Sequence, residues 1–92
     1  MLIYLSCPVS DKDNIVKVAR NLMREGHFVC LPSRYRSLLA EWCSDSDYQL
    51  LRLCDAIYLS SGWLQDYSCQ RELRHATNLS KRIFIEGQVE PA

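Results

Sequence analysis

Four short runs of this chain are apolar almost from end to end: Leu2-Ile3-Tyr4-Leu5, His27-Phe28-Val29-Cys30-Leu31, Ala56-Ile57-Tyr58-Leu59 and Arg82-Ile83-Phe84-Ile85. Such runs lack the polar alternation of a sheet with one wet face, so they predict strands covered on both sides. The segments between them carry helical spacing. Ile15, Val18, Ala19 and Leu22 repeat on one helical stripe, and Gly26 is placed to stop that helix. Leu50, Leu51, Leu53 and Cys54 give a second helix with a wide apolar face, and a third is expected over about 68–79. Ser10-x-x-Asp13 and Ser44-x-x-Asp47 read as capping boxes for the first two. Residues 33–44, with Leu38, Leu39 and Trp42, read as a helical turn or an ordered loop.

Strands alternating with helices, joined by right-handed crossovers, define an α/β fold. The expectation is a single small Rossmann-like or flavodoxin-like three-layer sandwich around a parallel sheet of about four strands. Ninety-two residues allow one domain, taken as 1–86, with 87–92 as a C-terminal tail. Eleven basic residues balance eleven acidic ones, which argues against broad electrostatic binding of nucleic acid. No apolar run is long enough to span a bilayer, and the start lacks the basic n-region of a signal peptide, so the chain reads as cytoplasmic. The five cysteines form no Cys-x-x-Cys pair and no zinc spacing beside His27 or His75. They read as reduced, buried thiols, with no metal and no cofactor expected.

In open α/β sheets, ligands bind beyond the carboxyl ends of the strands. Here those ends are Ser6-Cys7-Pro8, Pro32-Ser33-Arg34, Ser60-Ser61-Gly62-Trp63 and Glu86. On the wheel of the third helix, Cys69, Leu73, Ala76 and Leu79 share one arc, with Gln70, Arg71, Arg74 and Asn78 opposite. Glu72 falls inside the apolar arc. An inward carboxylate is costly unless it is paired or lines a cavity. It is either a catalytic carboxylate in a pocket or a glutamate that snorkels or caps a backbone amide. Taken alone, Asp55 reads as a turn residue and Asp66 as an N-cap or Asx-turn. Tyr4 and Tyr58 read as core, and His75 as a surface residue. Arg34 and Arg36 are either phosphate contacts or a solvated face. No Walker loop, Gly-x-Ser-x-Gly or Gly-x-Gly-x-x-Gly is present.

Several of these residues recur together in a known pattern. The start, Ile3-Tyr4-Leu5-Ser6-Cys7-Pro8, and the combination Asp47, Cys54-Asp55-Ala56-Ile57-Tyr58-Leu59, Gly62-Trp63, Glu72 and Ala76 resemble the nucleoside 2-deoxyribosyltransferase-like superfamily. The nearest resemblance is to its short, uncharacterised bacterial and phage domains, and it covers the chain to about residue 85. In the characterised enzymes of that superfamily, a helix glutamate attacks the anomeric carbon of a deoxynucleoside or nucleotide. The base departs, and water or another base resolves the covalent deoxyribosyl-enzyme. The resemblance gives Glu72 the role of nucleophile. It gives Asp55 a part in handling the base or its proton, and Asp66 a contact with sugar or phosphate. It places Tyr4, Ser6, Cys7, Pro8, Ser61, Gly62 and Ser68 around the substrate, with Arg34 or Arg36 meeting a phosphate. Cys7, Ser68-Cys69 and Arg74 stand where the superfamily commonly has glycine or another small residue.

Two classes of function follow. One is cleavage or transfer at the N-glycosidic bond of a deoxynucleoside or its 5′-monophosphate. The other is a non-catalytic nucleotide-binding or regulatory domain, or a protein-interaction module anchored by Trp42 or Trp63. The expected partner in the first is a small nucleoside or nucleotide, and the resemblance also implies a homodimer.

Overall fold

The computed structural model describes residues 1–8, 10, 12–31 and 45–87. Within them, β1 (Leu2–Ser6), α1 (Lys12–Arg24), β2 (Phe28–Cys30), α2 (Asp45–Leu53), β3 (Ala56–Leu59), α3 (Tyr67–Asn78) and β4 (Arg82–Ile85) follow in order. The four apolar runs are the four strands. They form one sheet in the order β2-β1-β3-β4, and every pairing is parallel. Residues 9, 11, 32–44 and 88–92 lie outside the described residues, and with them Arg34, Arg36, Trp42, Cys43 and all of the tail but Gly87.

The period of two along each strand sorts the core into two layers. Ile3, Leu5 and Cys7 of the first strand and its exit, with Ala56 of β3, pack against Ile15, Val18 and Leu22 of α1. Tyr4, Ile57 and Leu59 point the other way, against Leu51 of α2 and Cys69 and Ala76 of α3. The result is the expected three-layer sandwich, with α1 on one face and α2 and α3 on the other. No helix among the described residues is long and apolar enough to cross a membrane.

The boundaries depart from the sequence reading by a residue or two. β2 is three residues long rather than five. Cys54 falls just past α2 rather than inside it. Gly26 stops α1 as its position suggested. It adopts φ 93°, the His27 N–H donates to the Leu22 carbonyl at 3.1 Å, and the Gly26 N–H donates to the Met23 carbonyl at 3.0 Å. This is a Schellman closure. α3 ends in the same motif, but the left-handed position is Ser80, at φ 58°. There the Lys81 N–H donates to the Ala76 carbonyl and the Ser80 N–H to the Thr77 carbonyl, both at 3.0 Å.

The strand order places the site. From β1 the chain moves outward to β2, then crosses back over β1 to β3 and on to β4. The direction of winding therefore reverses between β1 and β3, and the loops leaving these neighbours diverge to opposite faces, opening a crevice at their carboxyl ends.

Candidate functional site

The crevice exists. Pro8 and Ser10 after β1, with Ser61, Gly62, Gln65 and Asp66 after β3, line a cavity of about 400 Å³. Its walls are built locally. The ladder runs one step past the strands, through a hydrogen bond from the Ser60 N–H to the Ser6 carbonyl at 3.1 Å. Gly62, at φ 90°, turns the chain into a 3₁₀ turn, Trp63–Gln65. A Cβ added there would lie 3.6 Å from Pro8 Cγ, an ordinary contact, so backbone conformation rather than space calls for glycine at 62. Asp66 then caps α3, its Oδ1 accepting from the Cys69 N–H at 2.9 Å. The N-cap reading of Asp66 holds, and the same residue also lines the cavity.

Glu72 is buried on α3, the helix that Asp66 caps. It is 4% exposed, and Cys69 and Ala76 beside it on α3 are fully enclosed, as the helical wheel required. Tyr4 Oη donates to Glu72 Oε2 at 2.5 Å, and Ser6 Oγ donates to Oε1 at 2.6 Å. Both donors come from β1, two residues apart and on the same face of the strand. Each carboxylate oxygen thus meets a hydroxyl, which offsets the cost of burying it. Tyr4 and Ser6 are fully buried, so no water stands in for either hydroxyl.

The other sequence candidates separate. Pro8, Ser61, Gly62 and Asp66 line the cavity, and Tyr4 and Ser6 hold Glu72. Cys7 packs in the core on the α1 face. Ser68 is exposed in the first turn of α3 and is not among the lining residues. Asp55 is not brought to Glu72. Its Oδ2 accepts from the Leu2 N–H at 2.8 Å, and its own N–H donates to the Leu2 carbonyl at 2.7 Å. It closes the amino edge of the sheet. Leu2 and Ser6 are the ends of β1, separated by roughly 13 Å of strand. The phosphate candidates Arg34 and Arg36 lie outside the described residues.

Two lining residues escaped the sequence reading as site residues, and a third contributor, Glu86, was named there only as a strand end. Ser10 and Gln65 line the cavity, each in a turn whose course depends on tertiary contacts. Glu86 leaves β4 and braces the rim, Oε1 accepting from the Ser61 N–H at 2.8 Å and from Asn14 Nδ2 at 2.9 Å. Its place at a strand end was its only signal. Glu86 also acts with burial, the larger cause, to raise the Tyr58 hydroxyl above its ordinary value of 10.0. Among the described cysteines, Cys7, Cys54 and Cys69 are buried and Cys30 half-buried, all as free thiols. Among the described residues, no group of three or more His, Cys, Asp or Glu is placed to hold a metal ion.

Among the described residues the lining carries hydroxyl and amide groups and one carboxylate, Asp66, and no cationic side chain.

No family model matches the chain, and no curated protein matches it. Among solved structures, the fold matches that of a 2-deoxyribosyltransferase from the psychrotolerant bacterium Bacillus psychrosaccharolyticus. The TM-score is 0.76 at 19% identity, over 98% of this chain and 77% of that one. That likeness establishes a shared fold: the chain has a nucleoside deoxyribosyltransferase-like architecture.

Proposed function

We propose that the chain cleaves or transfers at the N-glycosidic bond of a deoxynucleoside or its 5′-monophosphate, with Glu72 as nucleophile. The observation that carries this reading is a buried carboxylate, held at both oxygens by β1 hydroxyls, on the helix whose N-cap, Asp66, lines the polar cavity at the β1/β3 crevice. The shared fold with a 2-deoxyribosyltransferase supports it. A Glu72 oxygen forms a bond to the anomeric carbon as the bond from that carbon to the base breaks. The electron pair leaves with the base, which takes up a proton. Water or a second base then displaces the glutamyl ester. Each carboxylate oxygen keeps a further lone pair beside its hydroxyl, so one can attack while Tyr4 and Ser6 keep the group aligned. Asp66 lines the cavity and is the carboxyl nearest to the sugar and the leaving base in this reading. The proton-handling role that the resemblance gives Asp55 finds no support in its place at the opposite edge. A 5′-phosphate would depend on Arg34 or Arg36. The unit taken to act is 1–86, from the short bacterial and phage group, in the cytoplasm, as a homodimer.

One observation favours the non-catalytic reading. Glu72 is 4% exposed and is not among the cavity-lining residues, as suits a binding domain that retained the fold. The two readings separate in one experiment. Chromatography of a panel of deoxynucleosides and monophosphates should show release of free base by the native chain and none by Glu72→Gln. Thermal stabilisation by a nucleotide without any release would select the binding domain. Equal release by Glu72→Gln would remove the nucleophile from the mechanism.

A further inference from the structure

The outward face of α3 carries a second polar cavity that shares no lining residue with the first. Tyr67, Arg71, Arg74, His75 and Asn78 stand three or four residues apart on this face, and Tyr48 of α2 comes up beside them. Together they line an open groove of about 270 Å³. The Arg71 guanidinium is held between two rings, 5.5 Å from the Tyr48 centroid and 5.6 Å from that of Tyr67. The Tyr48 ring also packs on the His75 imidazole, with centroids 4.8 Å apart at 45°.

This arrangement is built for an oxyanion. A guanidinium fixed by aromatic rings is pre-organised, and its N–H fork matches phosphate oxygens at little further loss of freedom. Among the described residues no carboxylate lines the cavity, and neither Arg71 nor Arg74 has an acidic partner. Asn78 adds amide donors. His75 Nε2 is buried and has no hydrogen-bond partner among the described residues. Buried polar atoms are seldom left so.

We propose that this face binds a phosphate-bearing small molecule, gripped by Arg71 and Arg74 with Asn78 completing the shell. The proposal does not depend on the function assigned to the crevice cavity.

The test is an NMR titration that reads the arginine side-chain Nε–H signals and the backbone amides. Inorganic phosphate and adenosine 5′-monophosphate are added separately, with sodium chloride holding the ionic strength constant. The expected result is saturable shifts at Arg71, Arg74 and Tyr48, with Ser61 and Gly62 unmoved by inorganic phosphate. Arg71→Gln should weaken binding at least tenfold, and Arg71→Lys, which keeps the charge but loses the fork, should fall between. Unchanged amide shifts away from α3 confirm that the variants fold. Saturation by both ligands identifies the phosphate group itself as the determinant, and saturation by the nucleotide alone identifies the ester. Drift no larger than with sodium chloride, equal affinity in Arg71→Gln, shifts only at Ser61 and Gly62, or saturation only by a poly-glutamate peptide would overturn the proposal.

Discussion

Replacing Tyr4 with Phe removes one oxygen from the core and leaves the ring in place. Tyr4 is fully buried, and its hydroxyl donates to Glu72 Oε2 at 2.5 Å. The substitution therefore leaves a carboxylate oxygen that is 4% exposed as a residue without that partner, and solvent cannot replace it. A hydrogen bond to a charged group contributes about 1.5–3 kcal/mol. With almost no volume lost, no cavity term adds to it. The expected loss is about 2 kcal/mol, which in a domain of this size lowers Tm by roughly 8–16 °C. Urea unfolding should show the midpoint falling with the slope unchanged. A double-mutant cycle with Glu72→Gln should return a coupling of about 1 kcal/mol or more. A loss under about 0.5 kcal/mol with no coupling would mean that Tyr4 does not hold Glu72, and the account of how the carboxylate is oriented would fail.

Ser80 occupies a left-handed position at φ 58°, so Ser80→Gly should stabilise the chain by about 1 kcal/mol in urea unfolding. Unchanged or lower stability would contradict the strain argument. Glu86→Ala removes the acceptor of the Ser61 N–H and of the Asn14 Nδ2 bond, and amide exchange at Ser61 should quicken at least tenfold while that of β1 stays slow. The Cys54 thiol is pushed up to about 12 from 9.0, by burial first and then by the neighbouring Cys30. The folded chain thus keeps a proton that the unfolded chain loses. The stability from this group is complete below about pH 9 and is lost as pH rises toward 12. Cys54→Ala should be less stable at neutral pH but should flatten the alkaline decline, and an identical slope would refute the assignment.

How much of this was legible in the sequence follows from which forces are local. Strand positions were legible because doubly covered strands must be apolar throughout, and β1 and β3 are. The burial of Glu72 was legible because its helix is amphipathic and the wheel put the carboxylate between Leu79 and Cys69. The hydroxyls that hold it were present as Tyr4 and Ser6, but their role rested on a resemblance. Only the pairing of β1 with α3 turns it into geometry. Asp55 owed its proposed role to the resemblance; its place just before β3 puts it at the amino end of the strand, away from the carboxyl-end crevice. His75 was read as a surface residue, yet its ring is half-buried against Tyr48. A single helix wheel carries no information about a second helix laid beside it.

The central claim is that Glu72 forms a covalent bond to the sugar. The most direct measurement is acid-quenched mass spectrometry after incubation with a deoxynucleoside, followed by peptide mapping. The account predicts a deoxyribosyl adduct on the peptide that contains Glu72, present during turnover and absent in Glu72→Gln. Base release with no adduct, an adduct on another residue, or an adduct that persists in Glu72→Gln would contradict it.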